Sequence, residues 1–330
     1  MDKEFFMVFI ELFEYVCVLI VIIYILTRTK LFQQFETKKY TLKHQGLMIL
    51  IFGLLSIYGN FSGVKFFGVI VNTRDLGPII AGFLGGPVAG IGAGIIGGFH
   101  RYLNKVFYGE FTAVPCSIAT VLSGLFAGLI HIFIKRKTPS TRIGVIFMAL
   151  FEVFHMFLVL AISKPFSTAL KVVLEVSPSM IIINSIGIGF FLFIIHNYRK
   201  EQQVKSEKEK IENELKVAHE IQANMLPMIF PPFPDRHEFD IFALMDPAQE
   251  VGGDFYDYFI LPDGRLAFLI ADVSDKGLAA SLYMTVTRTL LRAAAMENDS
   301  PEKTLERVND LLLANSQDGL FVTTFYGVLT

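Results

Sequence analysis

Five apolar runs of about 20 residues, at 5–26, 44–62, 112–134, 142–163 and 177–197, constrain this chain more than any other feature. A helix needs about 20 apolar residues to cross a bilayer core. In lipid the backbone must satisfy its own polar groups within each segment, so a series of such runs points to a bundle of transmembrane helices. Hydrophobic residues make up 53% of the chain, and the excess falls in its first two hundred residues. The opening MDKEFF lacks a basic stretch and no small-residue cleavage site follows, so the first run reads as an uncleaved span. Cys17 and Cys116 both lie in apolar stretches, which fits free thiols in lipid or a reducing compartment better than a disulfide framework. A net charge of −2 gives no basis for binding nucleic acid.

Between the second and third runs lies DLGPIIAGFLGGPVAGIGAGIIGGFH, residues 75–100, dense in glycine with Pro87 near its middle. Each half is about thirteen residues, short for a span. It reads as a helical hairpin, packed through its small residues, that either crosses twice or re-enters. Three basic segments orient the bundle: Arg28, Lys30, Lys38, Lys39 and Lys43; Lys135, Arg136, Lys137 and Arg142; and Arg199, Lys200, Lys205, Lys208 and Lys210. All three are expected on the cytoplasmic side, which leaves the N-terminus outside and everything after residue 197 inside.

Arg74 and Arg101 bracket the glycine-rich hairpin near membrane depth, where ionisable residues are costly and usually functional. Two guanidinium groups suit a small anion such as a carboxylate entering from outside, with Asn72, His100, Cys116, Ser117 and Thr120 completing the pocket. The plainer reading is that both arginines snorkel to the headgroups. Glu152 and His155, one turn apart in a later span, read as a structural pair rather than a proton relay. The strings NTRDLGPIIAGFLGGPVAG (72–90), GGFHR (97–101) and FTAVPCSIATVLSGLFAG (111–128) resemble the LytS-type five-transmembrane sensor module of bacterial receptors. The resemblance covers most of 30–197 and implies a multi-pass receptor of the bacterial cytoplasmic membrane. The loop between Arg101 and Phe111 is longer than that module usually has.

Composition changes at Asn197. Residues 198–227 are charged and rich in helix formers, with no glycine or proline until Pro227. Val204, Ile211, Leu215, Ala218 and Met225, with Gln222 between, follow a heptad seam that is polar at Lys208. A weak parallel homodimer is expected, against the alternative of a single solvated helix. His219-Glu220 has the dipeptide of a kinase phosphoacceptor, but the following IQANMLP does not continue that motif and no glycine-rich nucleotide site follows.

The last segment, 228–330, is organised by VGGDFYDYFILPDGRLAFLIADVSDKGLAA at 251–280. Strand patterns at 256–261 and 266–271 flank Pro262-Asp263-Gly264-Arg265, a hairpin turn signal. The hairpin brings its two ends together, and each end carries an aspartate, Asp254 and Asp272. Paired carboxylates with Gly252 and Gly253 beside them suit a hard divalent cation; the plainer reading is two ordinary turn aspartates. Around the hairpin, PPFP at 231–234 reads as a rigid connector, 239–244 as a short strand and Asp246-Pro247 as a turn. A helix is expected from Gly277 to about 297, with Arg288 and Arg292 as a surface pair. A second helix, capped by Asp299 or Ser300 with Pro301 first, runs to about 314, and a strand covers 321–329.

GGDFYD, the hairpin, ADVSDKGLAASLYM and the lead-in AHEIQANMLP at 218–227 resemble the SpoIIE-type (RsbU-like) branch of the PPM metal-dependent serine/threonine phosphatases, over about 214–330. The resemblance implies two Mn2+ or Mg2+ ions held by Asp254, Asp272 and the backbone carbonyl of Val273. It further implies a water activated for attack on phosphoserine or phosphothreonine, and as substrate a phosphorylated anti-sigma-factor antagonist. Asp275 stands where many relatives have glycine, and the family supplies further aspartates downstream of Thr330, so the metal set is expected to be completed there. The whole is then an all-α polytopic membrane domain (1–197), a helical coiled-coil linker (198–227) and part of an α+β, α/β/β/α phosphatase sandwich (228–330). Two other functions compete. GGDF resembles the hairpin of diguanylate cyclases, but Phe255 stands where that motif needs a carboxylate. A ligand-binding or transport membrane module with an inactive regulatory tail is the other.

Overall fold

The computed structural model describes residues 3–29, 32, 42–66, 69–246, 250–297, 300–315 and 319–330. Lys30, Lys38, Lys39, Pro247 and Asp299, which carry parts of the charge, turn and cap expectations, lie outside the described residues. The chain divides into two units, Met1–Gln202 and Gln203–Thr330.

In the first unit the helices follow the apolar runs: α1 (Lys3–Thr27), α2 (Leu42–Phe61), α3 (Leu76–Tyr108), α4 (Ala113–Phe133), α5 (Thr141–Ile162) and the start of α6 (Phe166–Met225). Among the described residues, six helices contain stretches long and apolar enough to cross a membrane. Leu54, Ile95, Leu150 and Phe157 are exposed on them, as lipid-facing side chains are. A short antiparallel hairpin, β1 (Val64–Phe66) and β2 (Val69–Val71), joins α2 to α3, with Val64 opposite Val71.

α3 is the glycine-rich segment, and it is a hairpin. Gly86 breaks the helix at φ 80°, ψ −170°, immediately before Pro87. The limb before the break packs on α4 in one direction: Arg74 meets Thr120, and Gly82 meets Gly124 and Gly128. The limb after it retraces those neighbours: Gly90 meets Gly124, Gly94 meets Thr120, and Gly98 meets Ser117. A Cβ on Gly90 would stand 2.1 Å from the Gly124 carbonyl, so backbone-to-backbone packing is what the glycines provide. Pro87 has no N–H for the Phe83 carbonyl four residues back; His131 on α4 takes that carbonyl at 2.8 Å. The limbs are unequal. At 1.5 Å per residue the first is about 15 Å long and the second about 33 Å, so only the second has the length of a span.

α6 begins earlier than the apolar run at 177, includes Pro178, and continues without interruption through the charged stretch to Met225. Nothing after Asn197 stops it, because good helix formers run up to Pro227. Val204 and Ile211 are exposed along it, and Lys205–Glu209 and Lys208–Glu212 pair one turn apart at 3.9 and 3.5 Å.

The second unit is built on a three-stranded antiparallel sheet, β3 (Phe255–Ile260), β4 (Leu266–Val273) and β5 (Val322–Leu329), in that order. Helices α7 (Leu278–Glu297) and α8 (Pro301–Asn315) supply Met284, Leu291, Val308 and Leu312 to a core shared with Phe255, Leu269, Ala271 and Val273. Ser300 caps α8, its hydroxyl accepting from the Lys303 N–H at 3.5 Å. Residues 239–244, expected as a strand, form none among the described residues. The other face of the sheet, with Ile270 and Phe325, is exposed among the described residues, which give one sheet with one helical layer and not the four-layer α/β/β/α sandwich expected from the sequence.

Candidate functional site

The β3–β4 hairpin turns as its sequence requires. Gly264 takes φ 90°, its N–H reaches the Leu261 carbonyl at 2.9 Å, and the Leu261 N–H reaches the Arg265 carbonyl at 2.9 Å. Phe255 pairs with Ala271, and one step outward this register sets Asp254 opposite Asp272. Strand alternation decides which way the carboxylates face. Leu269, Ala271 and Val273 are buried against the helices, whereas Ile270 and Asp272 are exposed. Asp254 and Asp272, with Asp246, Thr323 and Thr324, line an open cleft of about 660 Å3. Partial desolvation, then a hydrogen bond with Asp272 and repulsion from it, raise the Asp254 pKa above the ordinary carboxylate value, while Lys276 pulls it down.

The two glycines before Asp254 do different work. A Cβ on Gly253 would stand 2.8 Å from the Val273 Cβ and 2.9 Å from the Val273 carbonyl oxygen, so only glycine lets this segment lie against that carbonyl. A Cβ on Gly252 would meet nothing within 4 Å. Gly252 is instead held by Gln222 of α6, whose Nε2 donates to its carbonyl at 2.7 Å and whose Oε1 accepts from its N–H at 3.2 Å. His219, one turn earlier, bonds the Glu250 carbonyl. The predicted seam residue Gln222 is thus buried within its own chain. Asp275 takes a glycine-like φ of 79°. Arg288 and Arg292 are not a surface pair: both turn to Asp257, which is 1% exposed, at 3.1 and 3.8 Å. Arg292 also lies 4.8 Å over the Phe259 ring.

In the first unit Arg74 and Arg101 are 1% and 0% exposed, so neither snorkels. Arg74 is held by Thr120 at 2.6 Å, by Asp75 and Asn60 at 3.2 Å each, and by the Cys116 carbonyl at 3.5 Å. Asn72 donates to the same Asn60 oxygen at 3.2 Å, and the Asn60 amide nitrogen reaches His100 Nδ1 at 3.1 Å. Arg101 belongs to a separate arrangement, a bidentate pair with Glu110 whose Nη1 contact is 2.6 Å. Glu110 also accepts the Ile70 N–H at 2.9 Å. Ser117 turns away, onto the Ala113 carbonyl. His155 contacts Cys116 Sγ at 3.3 Å through Nε2 and lies 3.4 Å from Glu152 and 3.3 Å from Asp75 through Nδ1. A cleft of about 640 Å3 is lined by Asn60, Lys65, His100, Asn104, Tyr108 and Glu110.

Asn60, Asp75 and Glu110 are the functional candidates that the sequence reading passed over. Asn60 carries a signal, a polar side chain inside an apolar run. Asp75 adjoins Arg74. Glu110 carries none: the stretch after Arg101, expected as a loop, continues as the last turns of α3 to Tyr108, and Glu110 reaches Arg101 only after the left-handed Gly109 ends the helix.

Residues 29–198 match the family model described as 5TMR of 5TMR-LYT, and residues 262–330 match Stage II sporulation protein E (SpoIIE). The sensor histidine kinase BtsS of Escherichia coli strain K12 is 33% identical over 195 residues, 57% of this chain and 34% of its own. The sensor protein LytS of Bacillus subtilis strain 168 is 35% identical over 216 residues, 60% of this chain and 36% of its own. Protein IcfG of Synechocystis is 38% identical over 118 residues, 36% of this chain and 18% of its own. The chain thus spans about a third of the length of the sensor proteins it matches.

Proposed function

Because the chain belongs to the 5TMR-LYT family of multi-pass bacterial membrane sensors and carries a SpoIIE-like segment after its sensor, we propose that it is a receptor controlling a cytoplasmic phosphatase. The enzyme acts on phosphoserine or phosphothreonine, with a phosphorylated anti-sigma-factor antagonist as substrate. The observation that carries this reading is the Asp254–Asp272 pair: two exposed carboxylates, opposed across a rigid hairpin at the edge of a cleft. Partial desolvation, then the hydrogen bond with Asp272 and repulsion from it, raise the Asp254 pKa, and a cation relieves that repulsion. The donor set therefore fits Mn2+ or Mg2+, with Asp254, Asp272 and the Val273 carbonyl as the groups that would hold it. When bound, such ions supply a water of lowered pKa and a Lewis acid for the phosphoryl oxygens. The chain's own part is positional. The β3–β4 hairpin fixes the carboxylates, Gly253 admits the backbone beside Val273, and Gln222 ties this segment to α6.

The input is a small anion bound from outside. Lys65, His100 and Asn60 at one cleft, with Arg74 and Asn72 bonded to Asn60 behind it, support that reading. Arg101 and Cys116 are its other candidate contacts, and Arg101 would have to exchange Glu110 for the ligand. Orientation with the N-terminus outside is supported by the basic ends: Arg28 pairs with Glu201 at 2.8 Å and Arg199 bonds Thr138, so the three positive segments share one side. The exposed Val204 and Ile211 of α6 support a homodimer through that helix.

The test is phosphate release from a phosphoserine protein by the full-length protein. The expected result is hydrolysis that needs Mn2+ and disappears in Asp272→Asn. Hydrolysis that persists in the variant, or without a divalent ion, contradicts the reading.

A further inference from the structure

Three ligand-type atoms converge in the core of the membrane unit. His155 Nδ1 lies 3.3 Å from Asp75 Oδ2 and 3.4 Å from Glu152 Oε2, and all three side chains are buried. We propose that Asp75, Glu152 and His155 bind a divalent transition-metal ion of the zinc type, a site separate from the cation pair of the phosphatase segment.

The first argument is the spacing. Zinc binds nitrogen and oxygen at about 2.0–2.1 Å in tetrahedral geometry, which separates neighbouring ligand atoms by roughly 3.3–3.4 Å. The two distances from His155 have that length. They are long for charge-assisted hydrogen bonds, which run at about 2.7–2.9 Å.

The second is that two of the three converging atoms lack other partners. Glu152 is 0% exposed and His155 1%, yet Glu152 Oε2 and His155 Nδ1 make no hydrogen bond. A proton on Nδ1 would point squarely at neither carboxylate. Buried polar atoms left unpaired are costly and call for an explanation, and an ion between them removes the cost.

The third is that the opposite atom of each side chain is already held, as the outer contacts of metal ligands are. Asn184 donates to Glu152 Oε1 at 2.6 Å. Thr120 and Arg74 donate to Asp75 Oδ1 at 2.6 and 3.2 Å. Cys116 Sγ stands 3.3 Å from His155 Nε2, so a proton on Nε2 has an acceptor and Nδ1 keeps its lone pair for the metal. Bound to both carboxylates beside the Arg74 guanidinium, a dication with one open position leaves a net positive charge and room for an anion.

The experiment uses the full chain carrying Asp254→Asn and Asp272→Asn, which silences the other metal site, purified in detergent, stripped with chelator and titrated with Co2+. The expected result is the intense visible absorption of four-coordinate cobalt, saturating at one equivalent, displaced by Zn2+, and lost in Glu152→Gln and His155→Gln. X-ray absorption at the zinc edge on the protein with residues 75, 152 and 155 intact keeps the test decisive if those variants misfold. One imidazole with oxygen donors is expected there. No cobalt band in folded protein overturns the proposal and makes the triad an imidazolium between two carboxylates. A band that survives both substitutions, or a sulfur-dominated or oxygen-only shell, also overturns it.

Discussion

The side-chain amide of Gln222 and the backbone of Gly252 form a reciprocal pair, each donating to the other, at 2.7 and 3.2 Å. Gly252 is two residues from Asp254, so the last turn of α6 is bonded to the segment that carries one of the two aspartates of the proposed cation site. Gln222→Leu keeps the volume and leaves the Gly252 N–H and carbonyl without these partners. We expect a loss of about 1–3 kcal/mol in unfolding free energy, together with weaker Mn2+ binding, read by urea denaturation and metal titration of the same variant.

Gly253 and Gly252 should respond in opposite ways to the same added methyl. Gly253→Ala drives a Cβ to 2.9 Å from the Val273 carbonyl, and relief requires moving the backbone that offers this oxygen. The expected cost is about 1–3 kcal/mol with reduced cation affinity. Gly252→Ala meets nothing and should change stability by less than about 0.5 kcal/mol, as surface substitutions do. Thermal unfolding of the two variants side by side decides it.

Asp275 holds a left-handed conformation at φ 79°, and its carboxylate accepts the Lys276 N–H at 2.8 Å. For most L-residues this backbone costs about 1–2 kcal/mol. Asp275→Gly should therefore be tolerated or stabilising by up to about 1 kcal/mol, whereas Asp275→Val should destabilise. Melting temperatures of both variants against the parent check the sign.

Glu110 and Arg101 form a buried bidentate pair, 6% and 0% exposed. Removing one partner strands the other charge. Glu110→Ala should cost about 3–5 kcal/mol, and Arg101→Lys, which cannot reproduce the fork, should lose part of that. Thermal stability of the detergent-solubilised protein is the readout, and indifference of both variants would show that the pair holds nothing together.

Much of this architecture was legible in the residues. Apolar run length located the spans because lipid imposes it, and Pro87, near the middle of the glycine-rich stretch, marked where the hairpin turns because proline cannot continue the helix hydrogen bonding. Pro262 to Arg265 located the turn that opposes Asp254 to Asp272. What escaped depends on partners distant in sequence. Arg74 and Arg101 look alike in the sequence, yet one joins Asn60, Thr120 and Asp75 while the other is claimed by Glu110. Arg288 and Arg292 look like surface charges until Asp257 is found beneath them. Gln222 fits a heptad seam by spacing, but its amide is taken by a backbone that arrives thirty residues later.

The central claim is that Asp254 and Asp272 act together as a cation site, and Mn2+ binding tests it most directly. The measurement is free Mn2+ by electron paramagnetic resonance during titration of the full-length protein, across pH, for the parent, Asp254→Asn and Asp272→Asn. Because the folded-state pKa of Asp254 is raised, its ionised form costs the cation-free protein stability as pH rises through that pKa. Mn2+ must displace a proton there, so affinity should fall on acidification earlier than an ordinary aspartate would allow. The account predicts saturable binding in the parent with that pH dependence, and its loss in either variant. Binding in Asp272→Asn indistinguishable from the parent would contradict it.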